Sequence, residues 1–286
     1  MITVIPSGGL CDRLMTIESA ISFAKQVNDA GITIVWKLND ELNASFEDLL
    51  QPIQNLRVRN VADSPSKKRT LLRRIINRTK KIWKKYIIFD EPVYLQDLFG
   101  RDQSVKNTEI CTRYHKQKEK ITIEGFGQFC LEDASFYCLF KLSASLENDL
   151  QSIVRLFPER IIGVHLRRTD NIFAIRESPT SLFIDKMKGE IENDPSVSFY
   201  VATDSLEELN KLIAIFGDRI YFQKNCIRNR TTIPGMQCAI LDLYALGVTN
   251  NIWGSYWSVY SYTAARIGGK DFLSLYKQDN HTKEEK

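Results

Sequence analysis

Apolar positions along this chain recur in two periods. Ile2–Ile5 is a short branched run that reads as a strand, followed by a tight loop, Ser7-Gly8-Gly9. Leu14, Ile17, Ile21, Ala24 and Val27 then fall on one face of a helix. Ile32–Trp36 reads as a second strand, and Phe46–Leu50 as a short helix closed by Pro52. Residues 55–120 are less regular, and Lys120–Glu124 returns to a strand pattern. The second half is cleaner. Helices are expected at Leu146–Phe157, Leu182–Ile191, Leu206–Phe216, Met236–Leu246 and Val259–Ile267. Strands are expected at Ile161–Leu166, Val197–Ala202, Arg219–Phe222 and Asn251–Trp253. Strand–helix alternation of this kind predicts an α/β fold with parallel sheets covered on both faces. The 286 residues suit two domains of roughly 130–150 residues each. The expected division is 1–145 and 146–286, with a polar, disordered tail from Gln278.

Composition narrows the class. No stretch approaches the ~18 uncharged apolar residues of a membrane span, and the N-terminus shows no basic-then-apolar secretory pattern. The six cysteines, at 11, 111, 130, 138, 226 and 238, form no Cys-x-x-Cys pair and have no His placed to complete a zinc pattern. Reduced thiols in a cytoplasmic protein, with no metal and no cofactor, are expected. The net charge of +4 is concentrated in residues 67–85, which hold ten Lys/Arg and no acid. The rest of the chain has 29 basic residues against 35 acidic ones. Leu71, Leu72, Ile75, Ile76, Ile82, Trp83 and Tyr86 interleave with those cations. This suits either an amphipathic helix lying on an anionic membrane, at its inner face, or a solvated basic helix. No nucleic-acid reader pattern accompanies the segment, so nucleic acid is not expected as a partner.

The candidate chemistry lies where strands end. Ile161-Ile162-Gly163-Val164-His165-Leu166 stops abruptly in Arg167-Arg168-Thr169-Asp170. In open α/β sheets that end of a strand is where ligands bind. Paired guanidiniums there suit a diphosphate, with a salt-bridged surface pair as the plainer alternative. Alternation would put His165 and Arg167 on one side and Arg168 on the other. Phe199–Thr203 leads into Asp204, which either caps the helix starting at Ser205 or shapes the pocket. Asp242 interrupts an apolar helix and needs a partner, either a core arginine or the N–H edge of a guanine. Gly254-Ser255-Tyr256-Trp257-Ser258 opens the last helix, with Ser258 as N-cap and free N–H groups able to hold an anion. Gly8 and Gly9 permit close backbone approach to a ligand. There is no Asp-x-Asp that could bridge a metal to a nucleotide sugar.

Three motifs stand in order: His165-Leu-Arg-Arg-Thr-Asp170, Val201-Ala-Thr-Asp204, and Ile240-Leu-Asp-Leu followed by Gly254-Ser-Tyr-Trp-Ser258. Together they resemble the fucosyltransferase superfamily that shares three C-terminal motifs, and its α-1,6 branch more than the α-1,2 branch. Gly8-Gly9-Leu10-Cys11-Asp12-Arg13-Leu14 is similar to that family's N-terminal glycine-rich loop. The resemblance implies a GT-B fold, two Rossmann-like domains with parallel sheets facing across a cleft. It implies an N-terminal acceptor-side domain and a C-terminal domain holding GDP-fucose. The implied reaction is metal-independent, inverting transfer of L-fucose from GDP-fucose, as co-substrate, to an oligosaccharide or lipid-linked glycan. Arg167 would hold the β-phosphate, His165 and Asp242 would read guanine or ribose, and Asp204 would shape the pocket. Ser258 and Ser255 would contact phosphate, while Arg168 and Asp170 organise the loop. The family's suspected base has no counterpart at its usual place in Asn171–Glu177, which leaves Glu177, two positions displaced, with Asp12 and Asp170 as rivals. The alternatives are transfer from another GDP-sugar, or a non-catalytic GDP-sugar- or glycan-binding protein.

Overall fold

The computed structural model describes residues 1–29, 31–62, 92–130 and 134–277. The basic segment 67–85, and with it the expected membrane contact, lies outside them, as does the tail from Gln278. The chain divides into two compact units. One comprises Met1–Ser143 with Arg230–Ile233, the other Ala144–Asn229 with Pro234–Lys286.

In the first unit, β1 (Ile2–Pro6), β2 (Ile32–Leu38), β3 (Leu56–Ala62), β4 (Val93–Tyr94) and β5 (Ile121–Gly125) form one sheet in the order β3-β2-β1-β5-β4. All its pairings are parallel. Its α-helices among the described residues are α1 (Leu10–Gln26), α2 (Phe46–Leu49) and α3 (Gln103–Lys116). The stretch expected to be irregular thus contributes two strands and a helix. β3 is an edge strand whose Arg57 and Arg59 face solvent, so its sequence lacks the apolar run of a central strand. α1 is also more buried than its apolar stripe suggests, since Arg13, Thr16, Glu18 and Ser19 are buried beside Leu14 and Ile17.

The second unit follows chain order more strictly. β6 (Ile161–Leu166), β7 (Ser198–Thr203), β8 (Ile220–Tyr221), β9 (Asn251–Ser255) and β10 (Phe272–Leu275) lie in the order β10-β9-β6-β7-β8, all parallel. Read from β8, this is the 3-2-1-4-5 arrangement of a doubly wound sheet, with its switch point between β6 and β9. The helices are α4 (Ala144–Val154), α5 (Ile172–Glu177), α6 (Thr180–Asn193), α7 (Leu206–Phe216), α8 (Ile233–Val248) and α9 (Val259–Gly268). Every residue of β6 and β7 is buried, as expected for strands covered on both faces. Ile162, Val164 and Leu166 pack with Phe199, Val201 and Trp253 against Phe183 and Met187 of α6. The intervening His165 faces α9, where Ser261 and Tyr260 meet it. Edge strand β10 and the single-turn helix α5 did not show in the periodicity, because four to six residues are too few to set one.

Candidate functional site

The switch point brings together the C-terminal ends of β6, β7 and β9. Register pairs His165 with Gly254 on one side and Leu166 with Thr203 on the other. Arg167 therefore emerges between Ser255 and Asp204. Its backbone N–H donates to Ser255 Oγ at 3.1 Å. Its guanidinium bonds Asp170 at 2.6 Å and Asp204 at 3.1 Å. Arg168 continues the alternation past the end of the strand and turns toward α6. There its Nε donates to Thr180 Oγ1 at 3.1 Å, Nη1 to the Arg167 carbonyl at 2.8 Å and Nη2 to the Ser178 carbonyl at 2.8 Å. These bonds tie down the loop, so Arg168 stands as an organiser. Asp204 accepts the N–H of Arg168 at 2.7 Å and the Thr169 hydroxyl at 2.7 Å. The next helix is capped by Ser205 instead, whose Oγ accepts from the Glu208 N–H. Two carboxylates thus meet the Arg167 guanidinium, while that of Arg168 is held by a hydroxyl and two carbonyls.

His165 is buried, with Nδ1 2.9 Å from Ser261 Oγ and 3.5 Å from Ser258 Oγ. Its ring lies 4.6 Å from that of Tyr260. Burial, with Arg167 and Arg168 nearby, pulls its pKa down to about 3, so the imidazole is neutral. Ser255, 1% exposed, is occupied between the Arg167 N–H and the His165 carbonyl. Its hydroxyl fastens β9 to β6, which leaves Ser258 as the serine nearer open space. Ser258 holds the N-cap position of α9, but its hydroxyl makes no capping bond and instead faces His165. The helix's first N–H groups are consequently not closed by that side chain.

Within the chain the hydrogen-bond partner of Asp242 is a tyrosine rather than an arginine. It accepts from the Tyr200 hydroxyl at 2.5 Å. Burial pushes its pKa up to about 7, against the opposing pull of Tyr200 and Arg228. Tyr200 also lines a cavity of about 400 Å³ with Phe157, Asn225, Cys238 and Leu241.

The remaining candidates have local partners of their own. Glu177, at the end of α5, bonds the neighbouring Arg176 Nε. Asp12 closes the start of α1 by accepting from the Gly9 N–H at 3.1 Å, so it acts as a cap. Gly8 and Gly9 belong to the first unit. Gly8 has φ +80, and an added Cβ would press on Asp12. Buried Arg13 holds this loop through the Gly8 and Lys37 carbonyls and Asn39. Sequence reasoning did not single out Tyr200, Ser178, Thr180 or Ser261. Of these only Tyr200 carried a usable signal, since a tyrosine inside a doubly covered strand needs a hydroxyl partner.

Among the described residues, no helix is long and apolar enough to cross a membrane, and no group of three or more His, Cys, Asp or Glu could hold a metal ion.

No protein-family model matches the chain. No curated protein matches its sequence. Solved structures do. NodZ α-1,6-fucosyltransferase co-crystallised with GDP superposes with TM-score 0.58 at 16% identity, over 92% of this chain and 91% of that one. Fucosyltransferase NodZ from Bradyrhizobium gives the same values. POFUT1 in complex with GDP-fucose gives TM-score 0.57 at 12% identity, over 96% of this chain and 98% of that one. This chain has their GT-B fold. At these identities the likeness is one of architecture, two parallel five-stranded sheets with flanking helices, and the chemistry rests on the residues at the β6–β9 switch point.

Proposed function

We propose that the chain transfers L-fucose from GDP-fucose to a glycan acceptor, with inversion and without a metal. The observation that carries this reading is Arg167 at the β6–β9 switch point, beside the uncapped start of α9. Its fold neighbours include a fucosyltransferase co-crystallised with GDP and another in complex with GDP-fucose. In this reading Arg167 holds the β-phosphate and neutralises the charge that grows on departing GDP. Such a preorganised cation is typically worth ~10²–10³-fold in rate. Ser258 and the first N–H groups of α9 assist it. Neutral His165, buried between Arg167 and α9, presents its ring to the nucleoside. Asp242, when ionised, accepts from the N1–H and N2–H₂ edge of guanine, and the cavity beside Tyr200 has room for a purine. Asp204, Arg168 and Thr169 hold this loop in shape.

Inversion also discriminates between the base candidates. The acceptor hydroxyl must approach the face opposite the leaving diphosphate. Asp170 is bound to Arg167 on the leaving-group side, whereas Glu177 is not. Glu177 therefore fits the general base better. Glu177→Gln should lower kcat by ~10²–10⁴-fold with GDP affinity unchanged. An equal loss in GDP affinity would remove Glu177 from that role.

The deciding experiment is calorimetric titration of GDP, UDP and ADP in the presence of EDTA, followed by turnover of GDP-fucose. Selective GDP binding that collapses in Arg167→Ala is expected. Equal affinity for the three nucleotides would overturn the donor assignment.

A further inference from the structure

Beyond the donor loop the second unit carries an exposed aromatic surface that donor binding does not use. Phe173 of α5, Trp257 and Tyr256 of the β9–α9 loop, and Tyr276 after β10 form a continuous ladder. Ring centroids are 5.0 Å apart for Phe173–Trp257, 5.9 Å for Trp257–Tyr256 and 5.0 Å for Tyr256–Tyr276. Phe173, Trp257 and Tyr276 are 47%, 65% and 46% exposed. Large aromatics left this open in a contiguous patch mark a recognition surface rather than a packing remainder.

The ladder is held rigidly. Trp257 has φ +54, a left-handed conformation unusual for a bulky residue, and such strain concentrates at ligand-binding positions. Its carbonyl accepts from Asn171 Nδ2 at 3.2 Å, while Asn171 Oδ1 caps α5 by accepting from the Ala174 N–H. The Tyr256 N–H donates to Ser178 Oγ at 2.8 Å. The Ser178 carbonyl in turn takes Nη2 of Arg168. Platform and donor loop are therefore fastened to the same residues, and Asn171 directly follows Asp170, the partner of Arg167.

We infer that this ladder is the stacking platform for the pyranose rings of the acceptor glycan, an assignment that rests on the proposed glycosyl transfer. The apolar C–H face of a pyranose meets the electron-rich face of an aromatic ring, and Phe173, Trp257 and Tyr276 leave ring surface open for it. Fixed aromatics lose little conformational freedom on binding, which favours a weakly hydrophobic, hydroxyl-rich ligand. Exposed Arg176 and Asp170 at the edge supply partners for ring hydroxyls. Contact with the loop that grips the leaving diphosphate places an acceptor stacked here beside the reacting centre.

The test uses the full chain with a panel of β-linked tetrasaccharides of glucose, galactose and N-acetylglucosamine, titrated calorimetrically with and without GDP. For any saccharide bound by the wild type, Trp257→Ala and Phe173→Ala should each weaken binding about tenfold. Trp257→Phe should restore it to within a few-fold, and GDP affinity should stay within about twofold throughout. The exposed positions of both side chains make loss of folding an unsuitable explanation of such a pattern. Saccharide binding unchanged in both alanine variants overturns the platform while leaving the donor reading intact, as does the binding of GDP with no saccharide at all. Saccharide binding that depends on Trp257 in a chain indifferent to GDP supports the platform and removes the donor reading.

Discussion

At the scale of single residues, the site is a matched set of charges rather than a bare cationic pocket. Two arginines in sequence suggest a surplus of positive charge, but in space Asp170 and Asp204 both bond the Arg167 guanidinium. A diphosphate must then share Arg167 with a carboxylate it repels. Asp170 is the more exposed of the two. Asp170→Asn should therefore strengthen GDP binding. An exposed ion pair is worth about 0.2–1 kcal/mol, so a gain of up to roughly fivefold is expected in the same titration. Weaker binding in Asp170→Asn would mean that the carboxylate positions Arg167 more than it competes for it. The sequence motifs made the identities of these residues legible, and with them His165, Asp204 and Asp242. Their partners were not legible, because the fate of a side chain depends on strands far away in the chain. Asp242 lies 42 residues from Tyr200, and nothing local to either residue announces the pair. Ser255 and Ser258 look alike in sequence, yet one is a buried fastening and the other faces His165.

Elements set how closely those residues can approach. α8 and α9 touch backbone to backbone at Gly247 and Gly268, where a Cβ added to Gly268 would collide with the Gly247 carbonyl. That contact seats α9 against β9 and so delivers Ser258 and Ser261 to His165. Gly268→Ala must push the helices apart, at a cost in the range of ~1–3 kcal/mol typical of overpacking, and should weaken GDP binding along with stability. Gly189, within α6, is the control. An added Cβ there meets nothing within 4 Å, so Gly189→Ala should stabilise by about 0.4–1 kcal/mol through the unfolded chain. Denaturation midpoints of the two variants should move in opposite directions, and movement in the same direction would discount the helix contact. Long central elements such as β6, β7 and α7 were readable from apolar period alone, because both faces or one full stripe are buried. Edge strand β3 was not, since solvent on one side dilutes the pattern that burial would impose, and β10 was too short to set one.

Over the whole molecule, two buried ionisable groups of opposite habit shape the response to pH. His165 is held neutral, with its pKa drawn from 6.5 down to about 3, so the unfolded chain binds the extra proton. Its contribution is fully present above pH 6.5 and is lost as pH falls toward 3. Asp242 is the reverse. Its pKa rises from 3.8 to about 7, so the folded chain keeps the extra proton. Its contribution is fully present below pH 3.8 and is lost as pH climbs toward 7. Between about pH 4 and 6.5 one extra proton sits on each side of the equilibrium, and the two slopes cancel. Asp242→Asn removes one side of that balance while keeping the acceptor for Tyr200. The stability of the wild type relative to this variant should then fall by about 1.4 kcal/mol per pH unit across pH 4 to 7, read from urea denaturation at several pH values. Taking the difference cancels every titrating group the two proteins share. A difference that stays constant with pH would show that Asp242 is already ionised in the folded chain. The ligand side gives an independent reading of the same proton. A carboxylic acid cannot accept both guanine donors, so GDP affinity in the wild type should rise from pH 6 to 8, while that of Asp242→Asn should be lower and rise only by the share that ionisation of the GDP terminal phosphate brings to both proteins.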